Sequence, residues 1–343
     1  MKSKDRRQVL IRTLSGTALV AAGGLTVPGL AADRNAFTLA TATRGGTYYP
    51  VGVAISTLVK AKLLSDKGID MSARNSAGSI ANIGMLQSNE AQFAIVLGIV
   101  GTLARRGQGP FAGTGPVAEL RSISALWPDV EHFVVRKVHR RTGDLRDFLG
   151  LTGLPVSIGR DGSGVLASTR HILRGQGIDP DSAFTRVALD YGDSATALLQ
   201  GKLDGAAMPG GPPVTAVTQL FAPEDPQVAL LGITDAQIRA ADAGLGLWSR
   251  HMIPVGTYPG QSDAIPSMGQ PNVLVARADI GDREVYEIVK TVYEHLDFLQ
   301  GIHRATGAMS VESALVGLPL PLHPGAARFY REAGLAVPKR LLP

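Results

Sequence analysis

A strand-like apolar run, a glycine-rich loop and a helix-like segment follow one another twice in this chain. In the first copy, residues 37–42 form the strand, residues 43–47 the loop, and apolar residues at helical spacing follow from 51 to 63. The second copy repeats this order in residues 156–159, 160–164 and 165–174. Because a helix that follows a strand packs against its sheet, the repeat predicts an α/β fold with two similar halves.

Further segments extend each half to a βαβαβ pattern. The first half adds a strand at 69–73, a helix at 80–86 and a strand at 93–97. The last of these is continuously apolar, which is typical of a parallel strand buried on both faces. The second half adds a strand at 184–189, a helix from 193 and a strand at 205–208. Chance likeness between βα turns is the alternative to a duplication.

Two extended runs connect the halves. Residues 123–136 are mostly extended in character and would pass from one lobe to the other, and residues 273–277 would belong to the return. Glycines and prolines in residues 254–271 predict a loop, and residues 284–300 have helical spacing. We predict lobe 1 in residues 33–127 and 272–343, lobe 2 in residues 128–271, and a ligand cleft between them.

The first 32 residues have the order of a secretory leader. Basic residues begin the chain, an apolar stretch covers residues 14–27, and small residues at 28–32 offer a cleavage site. The apolar stretch is shorter than the about 20 residues of a bilayer span. We predict a signal peptide of residues 1–32, exported through the Sec route or, given the pair Arg6 and Arg7, the twin-arginine route. The cleaved protein would be periplasmic without stable membrane insertion; a retained anchor is the alternative.

Charge and cysteine content exclude several classes of protein. Residues 1–32 hold five of the 34 basic residues and one of the 29 acidic ones, so the remaining charges nearly cancel and leave no basic stripe for nucleic acid. The absence of cysteine excludes disulfides, thiolate metal sites and a lipidated cysteine. The histidines lack metal-ligand spacing, and no nucleotide-binding or hydrolase motif occurs. We therefore expect no metal, no cofactor and no enzymatic activity.

The candidate ligand site lies where the strands of both halves end. In open α/β sheets, ligands bind beyond the carboxyl ends of the strands, where helix N-termini point. Glycine-rich loops expose backbone amides there, and these amides suit a carboxylate or another anion. If the lobes face each other, the loops of both halves converge on one cleft. The predicted ligand-binding residues are Arg44, Gly46, Thr47, Tyr48, Ser76, Gly78, Ser79, Leu97, Arg160, Ser163, Gly164, Val165, Tyr191, Gly210, Gly211 and Tyr258.

These residues have different expected roles. Hydroxyl groups and nearby amides would bind the carboxylate, the hydroxyls being those of Thr47, Ser76, Ser79 and Ser163. Leu97 and Tyr258 would shape the pocket, and the matched Arg44 and Arg160 could each form a bidentate contact with a carboxylate. Solvated arginines, structural tyrosines and plain tight turns are the alternatives.

Several short motifs resemble those of one known family. The segment Gly45-Gly46-Thr47-Tyr48-Tyr49-Pro50-Val51-Gly52 is similar to the opening motif of the TAXI-type solute-binding proteins of TRAP transporters. Residues 79–96, 162–164 and 255–261 look like later blocks of that family, and residues 321–330 resemble its C-terminal signature. The resemblance therefore runs in order across nearly the whole chain after the leader.

The resemblance implies a two-lobed, type II-like periplasmic-binding-protein fold whose hinge closes the cleft on a small solute. The solute would pass to the membrane permease subunits of an ion-driven TRAP transporter, and family members suggest amino acids such as glutamate or glutamine, or dicarboxylates. The chain departs from the family pattern at residues 97–99, which are apolar, at Val165, and at Arg44 and Arg160. These departures favour an anionic solute with an apolar portion.

We therefore expect the periplasmic solute-binding subunit of a TAXI-type TRAP transporter. A sensory receptor that presents a solute to a membrane kinase would use the same cleft and is the first alternative. An enzyme on the same bilobed fold, as in the pyrimidine-precursor synthases that the family distantly resembles, is the second. The missing cysteines and the lack of a cluster of histidine and carboxylate residues argue against this enzyme.

Overall fold

The computed structural model of the protein describes residues 35–342 and places two β-sheets with flanking helices in them. The predicted signal peptide, residues 1–32, lies outside the described residues. The strands are β1 (Asn35–Ala40), β2 (Ile69–Arg74), β3 (Phe93–Leu97), β4 (Leu120–Val130), β5 (Phe133–Arg136), β6 (Pro155–Ser157), β7 (Thr185–Arg186), β8 (Gly205–Ala207), β9 (Val228–Leu230), β10 (Ser249–Ile253) and β11 (Ile265–Arg277).

The helices alternate with these strands along most of the chain. They are α1 (Tyr48–Lys67), α2 (Ser79–Gln87), α3 (Gly98–Arg106), α4 (Leu145–Leu149), α5 (Gly164–Gly175), α6 (Pro180–Ala183), α7 (Tyr191–Leu199), α8 (Thr215–Leu220), α9 (Asp235–Asp242), α10 (Asp282–Glu294), α11 (Leu296–Ile302) and α12 (Pro324–Glu332). Short 3-10 turns occupy Gly109–Phe111, Lys137–His139, Arg304–Ala308 and Lys339–Leu341.

The first sheet has the strand order β10-β11-β3-β1-β2, with β4 also paired to β11. Strand β1 is parallel to β2 and β3, whereas β11 runs antiparallel to β3, β4 and β10. All five residues of β3 are buried, in agreement with its continuous apolar sequence. The parallel part of this sheet therefore comes from the first βαβαβ pattern of the sequence.

The second sheet has the strand order β7-β6-β8-β5-β9. Strand β6 is parallel to β7 and β8, and β5 is antiparallel to β8 and β9. Part of this sheet packs against α7 and α8 in a separate apolar cluster, which includes Val134, Leu198, Met208 and Val217. The second βαβαβ pattern supplies the parallel strands of this sheet.

Strands β4 and β11 run side by side from the first sheet toward the second, and we call them the crossing ribbon. The chain leaves β4 at Val130 and enters β5, in the other sheet, at Phe133. In the register of the ribbon, Pro128 lies opposite Pro271, beside a shift in the pairing. The predicted lobe boundaries, 127/128 and 271/272, fall inside these two strands; the division of the chain into lobes stays a prediction.

Three predicted elements have different bounds in the structure. The loop predicted at 254–271 ends earlier because β11 begins at Ile265, and Pro271 lies at the register shift, where a strand tolerates a residue without an N–H. The strand predicted at 184–189 is reduced to the two residues of β7. The helix predicted at 284–300 is divided at His295, whose backbone is not helical.

Candidate functional site

A cavity lies between the loops of the two sheets. Its lining comes from residues at or just after the ends of β1, β2 and β3 in the first sheet, and of β6, β7 and β8 in the second. This is the edge at which open α/β sheets bind ligands. The cavity has a volume of about 60 Å³.

Twelve of the sixteen predicted residues line this cavity. They are Gly46, Thr47, Tyr48, Gly78, Ser79, Leu97, Arg160, Ser163, Gly164, Val165, Tyr191 and Gly210. The glycine-rich loops of both halves therefore converge on one place. Contact of these residues with a solute stays a prediction.

Arg44 and Ser76 do not line the cavity. Arg44 is exposed, and its guanidinium lies 5.5 Å from the ring centroid of Tyr49. The Ser76 hydroxyl lies 2.9 Å from the carbonyl oxygen of Thr41 and 2.6 Å from Oδ1 of Asn82. The hydroxyl of Ser76 thus holds the loop after β2 to its own sheet, and Arg44 stacks on the protein surface.

Gly211 and Tyr258 also lie outside the lining. A Cβ atom on Gly211 would lie 2.5 Å from Cδ1 of Trp127, so this glycine serves close packing. Tyr258 is 2% exposed; its hydroxyl accepts from the amide of Val214 at 3.1 Å and lies 2.7 Å from Nε2 of His132. The predicted pocket wall at Tyr258 is therefore part of the apolar cluster beneath the second sheet.

Four helices begin at the cavity. The first residues of α1, α2, α5 and α7 all belong to its lining. The first N–H groups of a helix have no partner within the helix, and they lie at the positive end of its dipole. Ser163 caps α5 by accepting from the amide of Leu166 at 3.1 Å. The helix starts therefore present N–H donors to an anion in the cavity.

The loops of the two sheets touch each other beside the cavity. The amide of Ala81 donates to the carbonyl oxygen of Gly162 at 3.0 Å. A Cβ atom on Gly164 would lie 2.5 Å from Oγ of Ser79, so a side chain at this position would push the loops apart. The loops of the two sheets are thus in direct contact beside the cavity.

Eight lining residues were not predicted from the sequence. They are Ala42, Thr43, Ala77, Asp129, Gly159, Leu189, Asp190 and Pro209. All but Asp129 adjoin predicted residues in the same loops. Asp129 comes from the crossing ribbon, and a signal for it exists in the sequence: two carboxylates interrupt the apolar run that contains Trp127 and Phe133.

Asp129 is the most buried ionisable carboxyl group in the lining. It is 3% exposed, and its Oδ2 atom has no hydrogen-bond partner among residues 35–342. Burial raises the pKa of Asp129 well above its usual value, and the charge of Glu131 acts in the same direction. The side chain of Asn272 opposes both effects. An unpaired buried oxygen of this kind is costly unless a bound group satisfies it.

Glu131 follows directly after β4 and is fully buried. Its Oε1 accepts from the hydroxyl of Ser168 at 2.9 Å and, at longer range, from side-chain nitrogens of Trp248 and Gln270. Burial raises the pKa of Glu131 to about 7, although these three hydrogen bonds act in the opposite direction. Two carboxyl groups with raised pKa values therefore lie where the chain passes between the sheets.

The profile of one known family matches most of the described chain. The profile of the NMT1-like family matches residues 39–334. The chain belongs to the NMT1-like family. The matched span of this NMT1-like protein includes the second sheet, the crossing ribbon, every residue of the cavity lining, and the first sheet apart from residues 35–38 of β1.

Two solved structures share the fold of this NMT1-like protein. A binding protein component of an ABC phosphonate transporter from Pseudomonas aeruginosa aligns with a TM-score of 0.52 and 12% identity, over 80% of this chain and 79% of its own. MatC from Rhodopseudomonas palustris, with bound malate, aligns with a TM-score of 0.52 and 17% identity, over 86% of this chain and 97% of its own. At these identities the likeness concerns the fold alone. The predicted α/β fold, that of the two-lobed periplasmic binding proteins, is confirmed.

The described part of this NMT1-like protein lacks membrane-spanning helices and grouped metal-binding side chains. Across residues 35–342, no helix is long and apolar enough to span a bilayer. Over the same range, no three histidine, aspartate or glutamate side chains are grouped so that they could hold a metal ion.

Proposed function

We propose that this NMT1-like protein is the periplasmic solute-binding subunit of a TAXI-type TRAP transporter. It would capture a small, carboxylate-bearing solute by hinge closure and present it to the permease subunits in the membrane. The observation that carries this proposal is the convergence of four helix N-termini on one cavity between the two sheets.

The helix starts supply the groups that a carboxylate needs. A carboxylate oxygen accepts several hydrogen bonds, and amides at a helix start are oriented and do not compete with it for a proton. Ser79 is 1% exposed, and its Oγ accepts from the amide of Leu97 at 3.1 Å, which holds this side chain at the start of α2 beside the cavity. Arg160, exposed at the rim, adds positive charge where a solute enters.

The crossing ribbon supplies the connection about which the lobes would close. Closure on a ligand held between two domains is one of the common conformational changes of proteins, and the exclusion of water strengthens the enclosed hydrogen bonds. Contacts such as that between Ala81 and Gly162 would form on closure and hold the cavity shut. The solute would thus contribute directly to the stability of the closed form.

Three further observations support transport rather than catalysis. The predicted leader would export the chain to the periplasm, where solutes for import are captured. The motif Gly45–Gly52 and the segment 321–330 resemble TAXI proteins in particular, whose permeases are driven by ion gradients. The two proteins with the same fold are described with small anions, a phosphonate transporter in one case and bound malate in the other.

Titration calorimetry on the chain without its leader tests solute capture. A panel of small monocarboxylic, dicarboxylic and amino acids should contain at least one that binds with one-to-one stoichiometry. Val165, half-buried in the lining at the second position of α5, allows the cavity to be filled without loss of the Ser163 cap. Val165→Trp should abolish binding, whereas Leu199→Trp, at a position 51% exposed and outside the lining, should leave binding intact.

Unchanged binding in Val165→Trp would place the site elsewhere and refute the cavity assignment. The transporter class needs a separate experiment, in which the permease encoded beside the gene is reconstituted in liposomes. Uptake should then require this protein and an ion gradient and should proceed without ATP. Uptake that depends on ATP would contradict the TRAP assignment while leaving solute binding in place.

A further inference from the structure

Two hydroxyl groups at the cavity already donate within the protein. Thr47 donates to the carbonyl oxygen of Gly211 at 3.2 Å. Ser163 donates to the carbonyl oxygen of Arg160 at 2.7 Å, and its oxygen also caps α5. Because a hydroxyl group has a single proton, neither side chain can donate to a solute without losing a hydrogen bond that it already makes.

The two tyrosines of the lining are occupied in the same way. The hydroxyl of Tyr48 donates to Oδ1 of Asn272 at 2.5 Å, and the hydroxyl of Tyr191 donates to the carbonyl oxygen of Pro209. Burial raises the pKa of both hydroxyls well above the usual value, so both keep their protons in these bonds. The donors that remain for a solute are chiefly the backbone N–H groups at the four helix starts.

Apolar side chains form a wall of the cavity beside these helix starts. Leu97, at the end of β3, is 3% exposed, and its Cδ1 lies 2.9 Å from the place that a Cβ atom on Gly164 would occupy. Val165 is the second residue of α5, and Leu189 and Pro209 also belong to the lining. Hydrocarbon and backbone N–H donors therefore adjoin each other at the start of α5.

Within residues 35–342, the lining has one basic side chain, and it lies at the rim. This is the exposed Arg160. The lining also has two carboxyl groups. Burial raises the pKa of Asp129 well above its usual value, and Asp190 caps α7 by accepting from the amide of Asp193 at 3.0 Å. A second carboxylate on an enclosed solute would therefore lie among acidic groups, without a cation of its own.

The volume of the cavity limits the size of the solute. The cavity has a volume of about 60 Å³. One water molecule takes up about 30 Å³ in the liquid, so the cavity offers the room of about two water molecules. A long chain would need more room, and the loops that are in contact through Ala81 and Gly162 would then have to separate.

We infer that the solute is a monocarboxylate of about two to four carbon atoms whose hydrocarbon part lies against Leu97 and Val165. This inference rests on the proposed function and narrows the solute of the same site, because it excludes the amino acids and dicarboxylates that the family resemblance implies. The carboxylate accepts from the helix starts. A hydroxyl group, an amine or a second carboxylate on the hydrocarbon part would be buried without a partner. Leu97 and Val165 are thus specificity-determining residues.

The experiment compares acids that differ in one substituent, by calorimetry on the wild-type chain without its leader. Propionate is paired with lactate, alanine and malonate, and butyrate is paired with succinate. The substituted acid of each pair should bind about tenfold more weakly or worse, because its extra polar group loses hydration without gaining a hydrogen bond. In the series of unbranched acids from acetate to octanoate, affinity should be greatest at about two to four carbon atoms.

Variants then assign these preferences to the two side chains. Leu97→Ala removes part of the wall and should make hexanoate bind at least as tightly as butyrate. Val165→Thr keeps the shape of the side chain but adds a hydroxyl group, and it should reduce the preference for propionate over lactate. Leu199→Ala, at a position 51% exposed and outside the lining, should leave both preferences unchanged. The comparisons on the wild-type chain do not depend on how well a variant folds.

Failure of the inference and failure of the proposed function give different results. The inference is overturned, and solute capture stands, if a substituted acid binds as tightly as its partner, if octanoate binds best, or if none of the acids binds although another solute is retained through native purification. Unchanged preferences in both lining variants would overturn the assignment to Leu97 and Val165. If no acid binds and no small solute is retained, the proposed function fails and the inference fails with it.

Discussion

Glu131→Gln should change the pH dependence of stability by an amount that follows from burial. Burial raises the pKa of Glu131 from 4.5 to about 7 in the folded protein. Below pH 4.5 the group is protonated in both the folded and the unfolded state, so it adds no penalty. As the pH rises from 4.5 to 7, the unfolded chain loses this proton and the folded chain keeps it, so the free energy of unfolding falls.

The size of the effect comes from the same shift. Each pKa unit corresponds to 1.36 kcal/mol, so Glu131 lowers the free energy of unfolding by about 3 kcal/mol between pH 4.5 and pH 7, and the loss persists above pH 7. Glutamine keeps the acceptor for Ser168 but cannot ionise. Its amide group takes the place of Oε2, which has no hydrogen-bond partner among residues 35–342, and this adds a destabilisation that does not depend on pH.

Urea unfolding of the wild type and of Glu131→Gln at pH 5 and at pH 8 separates the two contributions. The variant should gain about 2.5 kcal/mol relative to the wild type on going from the lower to the higher pH, because the unfolded glutamate is already partly ionised at pH 5. Glu224→Gln, at an exposed position, is the matched control for loss of a glutamate charge. If the difference between wild type and Glu131→Gln is the same at both pH values, the burial argument is wrong.

Three further substitutions have expected outcomes. Gly164→Ala places a methyl group against Ser79 and disfavours the closed form, so the solute affinity measured by calorimetry should fall about tenfold or more. Unchanged affinity would show that closure does not use this contact. Tyr258→Phe should lower the free energy of unfolding in urea by about 1–3 kcal/mol, because the amide of Val214 loses its acceptor. It should leave solute affinity unchanged, and weaker binding would indicate that Tyr258 belongs to the binding site. Asn82→Ala should lower the free energy of unfolding by about 3 kcal/mol, because the carboxamide donates to backbone carbonyls after β1 and within β3. A loss below about 1 kcal/mol would contradict that account.

The cavity loops could be predicted from the sequence because their signals are local. A strand, a glycine-rich turn and a helix start occupy neighbouring residues, and the rule for the carboxyl edge of a sheet then brings such loops together. Gly46, Ser79 and Gly164 could be predicted as residues of the site in this way. The prediction needed only the order of elements along the chain and the assumption that the two halves face each other.

The sequence could not predict that Asp129 lies at the cavity and Tyr258 outside it, because both positions depend on contacts between distant segments. Asp129 reaches the cavity because β4 pairs with β11, with Gln270 opposite it, and this pairing joins residues far apart in the sequence. Tyr258 lies in a segment rich in glycine and proline, where an exposed loop is the ordinary expectation. Its hydroxyl is nevertheless buried by Val214, just before α8, and by His132, just before β5.

Two prolines face each other in the crossing ribbon, at the place where we propose that the molecule bends. Neither Pro128 nor Pro271 has an N–H group, so the ladder between β4 and β11 lacks these donors at the step between the lobes. A rotation at this step breaks fewer hydrogen bonds than a rotation elsewhere along the two strands. If the strands on either side remain paired, we expect the proposed lobes to move as rigid bodies about one axis, and solute capture would then be a single rotation with its pivot next to Asp129.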